Sequence, residues 1–161
     1  MIQGILYIIL MAVLALVVYQ DVKLRLIHIL LPVAIFGLGI AINWDLMRFI
    51  HMDWISSLLF LALNLLVVTL YFSIKAKRYV NPFDALIGWG DIWFLIALVP
   101  LFHFRGYVQF FVMGMLFSLV LFIVMKSIYP KYKTIPLAGF LSIFLIGTTL
   151  AQHLTDIDIL L

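Results

Sequence analysis

Two aspartates stand out as residues that could do chemistry. Asp21 closes the first long apolar run of the chain, and Asp91 opens a later one behind Gly88-Trp89-Gly90. An ionisable side chain at the edge of an apolar segment is costly unless it is solvated, paired or used. Taken alone, Asp21 reads as a solvated loop carboxylate beside Lys23 and Arg25, while the glycines before Asp91 either permit a bent or extended backbone that delivers a carboxylate at the membrane edge or form a simple glycine-rich turn. Taken together they could share one proton. Repulsion between two close carboxylates leaves one neutral and one ionised, an acid and a base from one residue type. The base can activate water and the acid can polarise a carbonyl, which is the chemistry of an aspartyl protease and needs neither metal nor cofactor.

The elements that must bring such a pair together lie in a bilayer. The 161 residues are 67% hydrophobic and 11% charged, whereas soluble domains are about half apolar and about a quarter charged. The apolar runs extend for 15 or more residues without period-two alternation, which predicts an all-α bundle of about six transmembrane helices instead of a β-barrel. Predicted spans are Ile2 to Tyr19, Ile27 to Trp44, Trp54 to Ile74, Ile92 to Phe104, Tyr107 to Met125 and Ile135 to Ala151. The first lacks a basic n-region and an Ala-x-Ala-like site, so it reads as a retained helix. The fourth is the shortest and reaches length only by recruiting Gly88 to Asp91 or by being buried against its neighbours. No soluble domain, low-complexity tract or internal repeat interrupts residues 1–161, which read as a single membrane domain. The absence of cysteine excludes disulfides, thiolate metal sites and a cysteine nucleophile.

Eight of the ten basic residues fall between spans one and two (Lys23, Arg25), three and four (Lys75, Lys77, Arg78) and five and six (Lys126, Lys131, Lys133). Only Arg48 and Arg105 lie on the other side. Because Lys and Arg are retained in the cytoplasm, both termini are expected outside, with Asp21 and Asp91 at the cytoplasmic face.

At these residues the chain resembles the type IV prepilin peptidases, membrane aspartyl proteases with a Gly-x-Gly-Asp motif. The resemblance covers nearly the whole chain. It rests on Asp21-Val22-Lys23-Leu24-Arg25-Leu26-Ile27 after the first helix, on Gly88-Trp89-Gly90-Asp91, and more softly on Ile135-Pro136-Leu137-Ala138-Gly139-Phe140-Leu141, which looks structural. It implies catalytic Asp21 and Asp91, supporting Gly88 and Gly90, no cofactor or metal, and cleavage of the leader peptide of a prepilin-like substrate at the cytoplasmic membrane. The chain has His28-Ile29 where the family usually has Pro-Asn, and Trp93 where it usually has Lys. Longer members carry an amino-terminal cysteine-containing extension and methylate the new amino terminus; here the expectation is cleavage without methylation.

Two other classes fit the same residues. One is a non-catalytic binding protein or scaffold of a pilus or secretion assembly, which His28 and Trp93 motivate. The other is a small carrier using the carboxylates as a proton relay, against which the lack of an inverted repeat counts. The basic loops, with Lys23 and Arg25 nearest the site, are read first as contacts to anionic lipid and second as contacts to acidic substrate residues; no nucleic-acid partner is expected.

Elsewhere, His51, His103 and His153 with Asp45, Asp53, Asp156 and Asp158 fall toward the outer face with spacing too scattered for a metal site. Asp84 reads as neutralising nearby basic residues. Asn64 and Gln109 are expected to hydrogen-bond between helices, Gly37, Gly39 and Gly114 to permit close helix approach, and Trp44, Trp54 and Tyr107 to anchor at the interfaces.

The charge asymmetry predicts that a single cysteine placed at Lys77 is protected from an impermeant thiol reagent added to intact cells and becomes labelled only after permeabilisation. Labelling from outside would invert the topology.

Overall fold

The computed structural model describes residues 2–44, 51–77, 88–128 and 135–155. The described residues form six α-helices: α1 Ile2–Tyr19, α2 Leu30–Ile42, α3 His51–Ala76, α4 Trp89–Leu98, α5 Phe104–Ile128 and α6 Leu137–Thr155. A π-helical turn, Gln20–Leu24, continues α1, and a 3-10 turn, Val99–Leu101, continues α4. Each expected apolar run is a helix, with shifted ends. The second begins at Leu30, after an irregular stretch from Arg25, and Phe104 opens α5 instead of closing the run before it.

Among the described residues, three stretches are long and apolar enough to cross a membrane: Gln3–Leu24, Met52–Ala76 and Phe104–Ile128. Leu30–Ile42, Trp89–Leu101 and Leu137–Gln152 are apolar but shorter. At 1.5 Å per residue the ten residues of α4 rise only about 15 Å, half the hydrocarbon thickness of about 30 Å. Burial accommodates this shortness: Ile92, Phe94, Leu95, Ala97 and Leu98 are all buried. The long helices instead expose apolar side chains such as Leu59, Leu63 and Leu66 on α3, or Leu116 and Val120 on α5, as expected where the solvent is lipid.

One core cluster draws on all six helices, including Leu14, Ile35, Leu61, Phe94, Tyr107 and Leu141. Phe60 joins α3 to α5 through edge-to-face contacts with Phe104, Tyr107 and Phe111, the last at a centroid distance of 5.4 Å. Phe144 joins α6 to α5 by packing on Phe110 and Phe117. Such ring pairs add about 0.5–1.5 kcal/mol each beyond their buried area.

Several packing expectations need correction. Tyr107 is no interfacial anchor: it is fully buried and its hydroxyl donates to the Leu95 carbonyl at 3.1 Å. Asn64 donates within its own helix, to the Phe60 carbonyl at 2.8 Å, because the carbonyl four residues back is the nearest acceptor to a short amide on a peripheral helix. Trp44 is exposed as expected, and Trp54 is half-buried against Phe36.

The glycines divide. Gly114 faces Leu141 on α6 and Gly39 faces Pro100 and Leu101, whereas a Cβ on Gly37 would meet nothing within 4 Å. Beside Gly39, Asn43 donates to the Pro100 carbonyl at 2.8 Å, pinning α2 to the turn after α4.

The contrast between two glycines on one helix gives a test. A Cβ at residue 39 would lie 3.0 Å from Pro100 Cβ and 3.3 Å from the Leu101 backbone nitrogen, neither of which can swing aside. Gly39→Ala is therefore expected to destabilise by about 1–3 kcal/mol through overpacking. Gly37→Ala is expected to be neutral or stabilising by up to about 1 kcal/mol through helix propensity. Thermal unfolding of the detergent-solubilised variants reads both, and equal melting temperatures would refute the assigned contact.

Candidate functional site

Asp21 lies in the π-helical turn, where α1 widens before the chain leaves the helix at Arg25, whose φ is 57°. A π turn inserts one extra residue into the helical winding and re-aims the side chains at its end, and such turns recur at functional sites. Asp21 is turned inward, with only 7% of its surface exposed; it is the one charged side chain in the core among the described residues. The loop that follows is held by the Gln20 side chain, which accepts a hydrogen bond from the His28 N–H at 2.9 Å.

Asp91 occupies the first turn of α4 and is half-buried. Gly88 is the N-cap, in an extended conformation at φ −65°, ψ 145°. Its N–H donates back to the Asp91 carboxylate, the reciprocal arrangement of a capping box with Asp in the third helical position.

The first turn of α6 joins the two. At a helix start the first amides have no carbonyl one turn earlier to bond. Here Ala138 N–H donates to Asp91 Oδ1 at 3.0 Å and Gly139 N–H donates to Asp21 Oδ2 at 2.6 Å. Consecutive residues have Cα atoms about 3.8 Å apart, so two carboxylates distant in sequence become neighbours on one pair of amides. They are close enough to act on one another electrostatically, and Arg25 acts on Asp21 in the same way. The positive end of the α6 macrodipole favours the negative charge collected there.

The glycines of the site supply space. No glycine among the described residues has positive φ; of the bent or extended backbone expected at Gly88 and Gly90, Gly88 supplies the extended form. Gly88 is extended as any residue could be, and Gly90 lies inside α4, where a Cβ would be 3.2 Å from Ile27 Cβ. A Cβ on Gly139 would be 3.2 Å from Asp21 Oδ2 and 3.3 Å from Val22 Cγ2. The segment carrying Asp21 thus runs between two glycine surfaces, one on α4 and one on α6.

The remaining expected residues lie at or away from the rim. Lys23 is exposed, donates to the Tyr19 hydroxyl at 2.9 Å and sits over that ring. Arg25 is exposed beside Asp21. The His28 ring accepts from the Leu30 N–H at 3.4 Å, a long contact at the start of α2, and Trp93 lines an apolar cavity of about 260 Å³ with Pro32, Val33 and Phe36. Of the residues expected toward the outer face, His103 and Asp53 pair at 3.0 Å. Among the described residues no three His, Cys, Asp or Glu gather as a metal set. Asp45, Arg48, Arg78, Asp84, Lys131, Lys133, Asp156, Asp158 and the side chains of His51 and His153 lie outside the described residues.

Sequence reasoning passed over Gln20, Ala138 and Gly139. A backbone amide has no residue signature, so only the Ile135 to Leu141 segment, taken as structural, gave any signal.

No family model, curated protein or solved structure matches the chain.

If Gly90 supplies clearance, Gly90→Val should lower the melting temperature in detergent, and Ile27→Ala added to it should recover part of the loss, by a coupling of about 0.5–3 kcal/mol in a double-mutant cycle. Additive effects would remove the Gly90–Ile27 contact from the account.

Proposed function

We propose that the chain is a membrane aspartyl endopeptidase in which Asp21 and Asp91 are the catalytic pair. The observation that carries this reading is the bonding of the two carboxylates to consecutive amides, Ala138 and Gly139, at one helix start. The arrangement supports the mechanism: Asp21 is bonded by Gly139 and Asp91 by the adjacent Ala138 and by Gly88, and on this reading the two carboxyl groups share a proton and face water or substrate. The ionised member takes a proton from the attacking water. The neutral member donates toward the scissile carbonyl and the proton is later passed to the leaving amine.

The substrate class follows from the resemblance to the type IV prepilin peptidases carried by Asp21 to Ile27 and by Gly88-Trp89-Gly90-Asp91. It is a membrane protein whose leader peptide is cut on the cytoplasmic side of its hydrophobic segment. On this reading the chain crosses the cytoplasmic membrane six times, the shorter apolar helices completing their crossings inside the bundle, with both termini outside and the pair at the cytoplasmic face. No resident cofactor or metal takes part, and Lys23 and Arg25 meet lipid headgroups or acidic substrate residues at the rim.

A helix cap alone would also place carboxylates here, and the isosteric amide separates the two roles. Asparagine keeps one acceptor oxygen for the amide of α6 and caps helices as well as aspartate does, but it can neither take nor share a proton. Asp21→Asn and Asp91→Asn are each expected to cut processing of a co-expressed prepilin by at least about 100-fold, the double variant losing no more than either single one. Membrane levels should be unchanged. Near-wild-type processing by either variant would eliminate the mechanism.

A further inference from the structure

We propose that Gly139 is a positioning residue of the aspartate pair: its missing side chain, together with its amide, sets the distance between Asp21 and Asp91. The inference rests on the endopeptidase reading for its kinetic arm and is independent of it for its titration arm.

The argument starts from the asymmetry of the two amides. Ala138 carries a fully buried Cβ and bonds Asp91. Gly139 carries none, and the position that its Cβ would fill is bounded by Asp21 Oδ2 at 3.2 Å, Asp21 Cβ at 3.3 Å and Val22 Cγ2 at 3.3 Å. The 2.6 Å bond from Gly139 N–H to Asp21 therefore forms with the aspartate pressed against the bare backbone of α6. Any side chain at 139 would push Asp21 off α6 while Asp91, on the preceding amide, stays. The spacing of the pair would grow from one side only.

Helix propensity gives the glycine no local justification, since glycine inside a helix costs about 1 kcal/mol against alanine. Gly147, on the same helix with nothing within 4 Å of its would-be Cβ, supplies the matched control. Among the described residues, the charged or titratable groups acting on Asp21 are Arg25 from its own segment and Asp91 from α4, and α6 contributes the amide. The spacing of the pair is thus the main electrostatic variable that a Cβ at 139 changes.

The test compares wild type, Gly139→Ala and Gly147→Ala as purified full-length chains in detergent. Cleavage of a prepilin substrate gives kcat and KM. The pH titration of the pair, followed by the infrared carboxyl band and assigned with Asp21→Asn, requires no substrate. Gly139→Ala should lower kcat at least tenfold with KM within about twofold, because only the reacting geometry is disturbed. It should also draw the two titration steps together, since coupled carboxylates titrate further apart the closer they lie. The expected shift is about half a pH unit per added ångström at a spacing near about 4 Å and an effective dielectric constant of about 20. Gly147→Ala should match wild type in both. Wild-type kcat and unchanged steps in Gly139→Ala would overturn the proposal and leave the endopeptidase reading standing, as would a fall in kcat with unmoved steps and a lowered melting temperature. A wild type that cleaves no prepilin, with steps that still draw together in Gly139→Ala, would retain the positioning role and remove the endopeptidase reading.

Discussion

The site depends on one interaction: the first turn of α6 donates two successive amides to two carboxylates that arrive from different helices. Helix starts always present amides without intrahelical partners, and in an apolar surrounding each one left unpaired costs several kcal/mol. A carboxylate buried in the same surrounding has the complementary need, a donor to offset its lost hydration. Each need answers the other, so α1, α4 and α6 are locked at one point by polar groups that would otherwise be liabilities.

The rest of the architecture makes that convergence possible. The three long apolar stretches take lipid exposure, whereas α2 and α4 are shorter and α4 is largely buried. The starts of α4 and α6 meet the end of α1 at the level of Asp21 and Asp91. Close approach at that level is secured by residues without side chains, Gly90 against Ile27 and Gly139 against Asp21. Further along the bundle, larger groups take over: Gly39 receives Pro100, and the stacked pair Phe102 and Phe110, with ring centroids 5.1 Å apart, closes the other end of α4 onto α5.

Much of this was legible in the sequence, and the illegible part has a physical pattern. Long apolar runs give helices without ambiguity, and carboxylates at their ends are conspicuous because the membrane makes them expensive. Asp21 and Asp91 could therefore be picked out by type and place. What sequence could not give was which donors receive them, since Ala138 and Gly139 act through main-chain atoms. Nor could it tell one glycine from another: Gly37 and Gly39 lie on the same helix in equally apolar company, and only the partner's position separates the idle one from the packed one. Tyr107 misled for a related reason. An amphipathic ring near a span end is ordinarily an interfacial anchor, but a buried acceptor, the Leu95 carbonyl, draws its hydroxyl inward.

The strongest argument that the carboxylate pair is more than a cap lies in its redundancy. One acceptor at an N-cap is the usual complement of a helix start, and serine, threonine or asparagine supplies it without charge. Here two carboxylates occupy adjacent amides, and each is a residue that the bilayer penalises. Placing them side by side adds a repulsion that grows as the dielectric falls, and the helix dipole, equivalent to about half a charge, offsets only part of it. A neutral acceptor in place of either one would keep a bond to α6 and shed the repulsion. On the proposed reading the same repulsion, useless to stability, leaves one proton to be shared between the two carboxyl groups, as a hydrolytic pair requires.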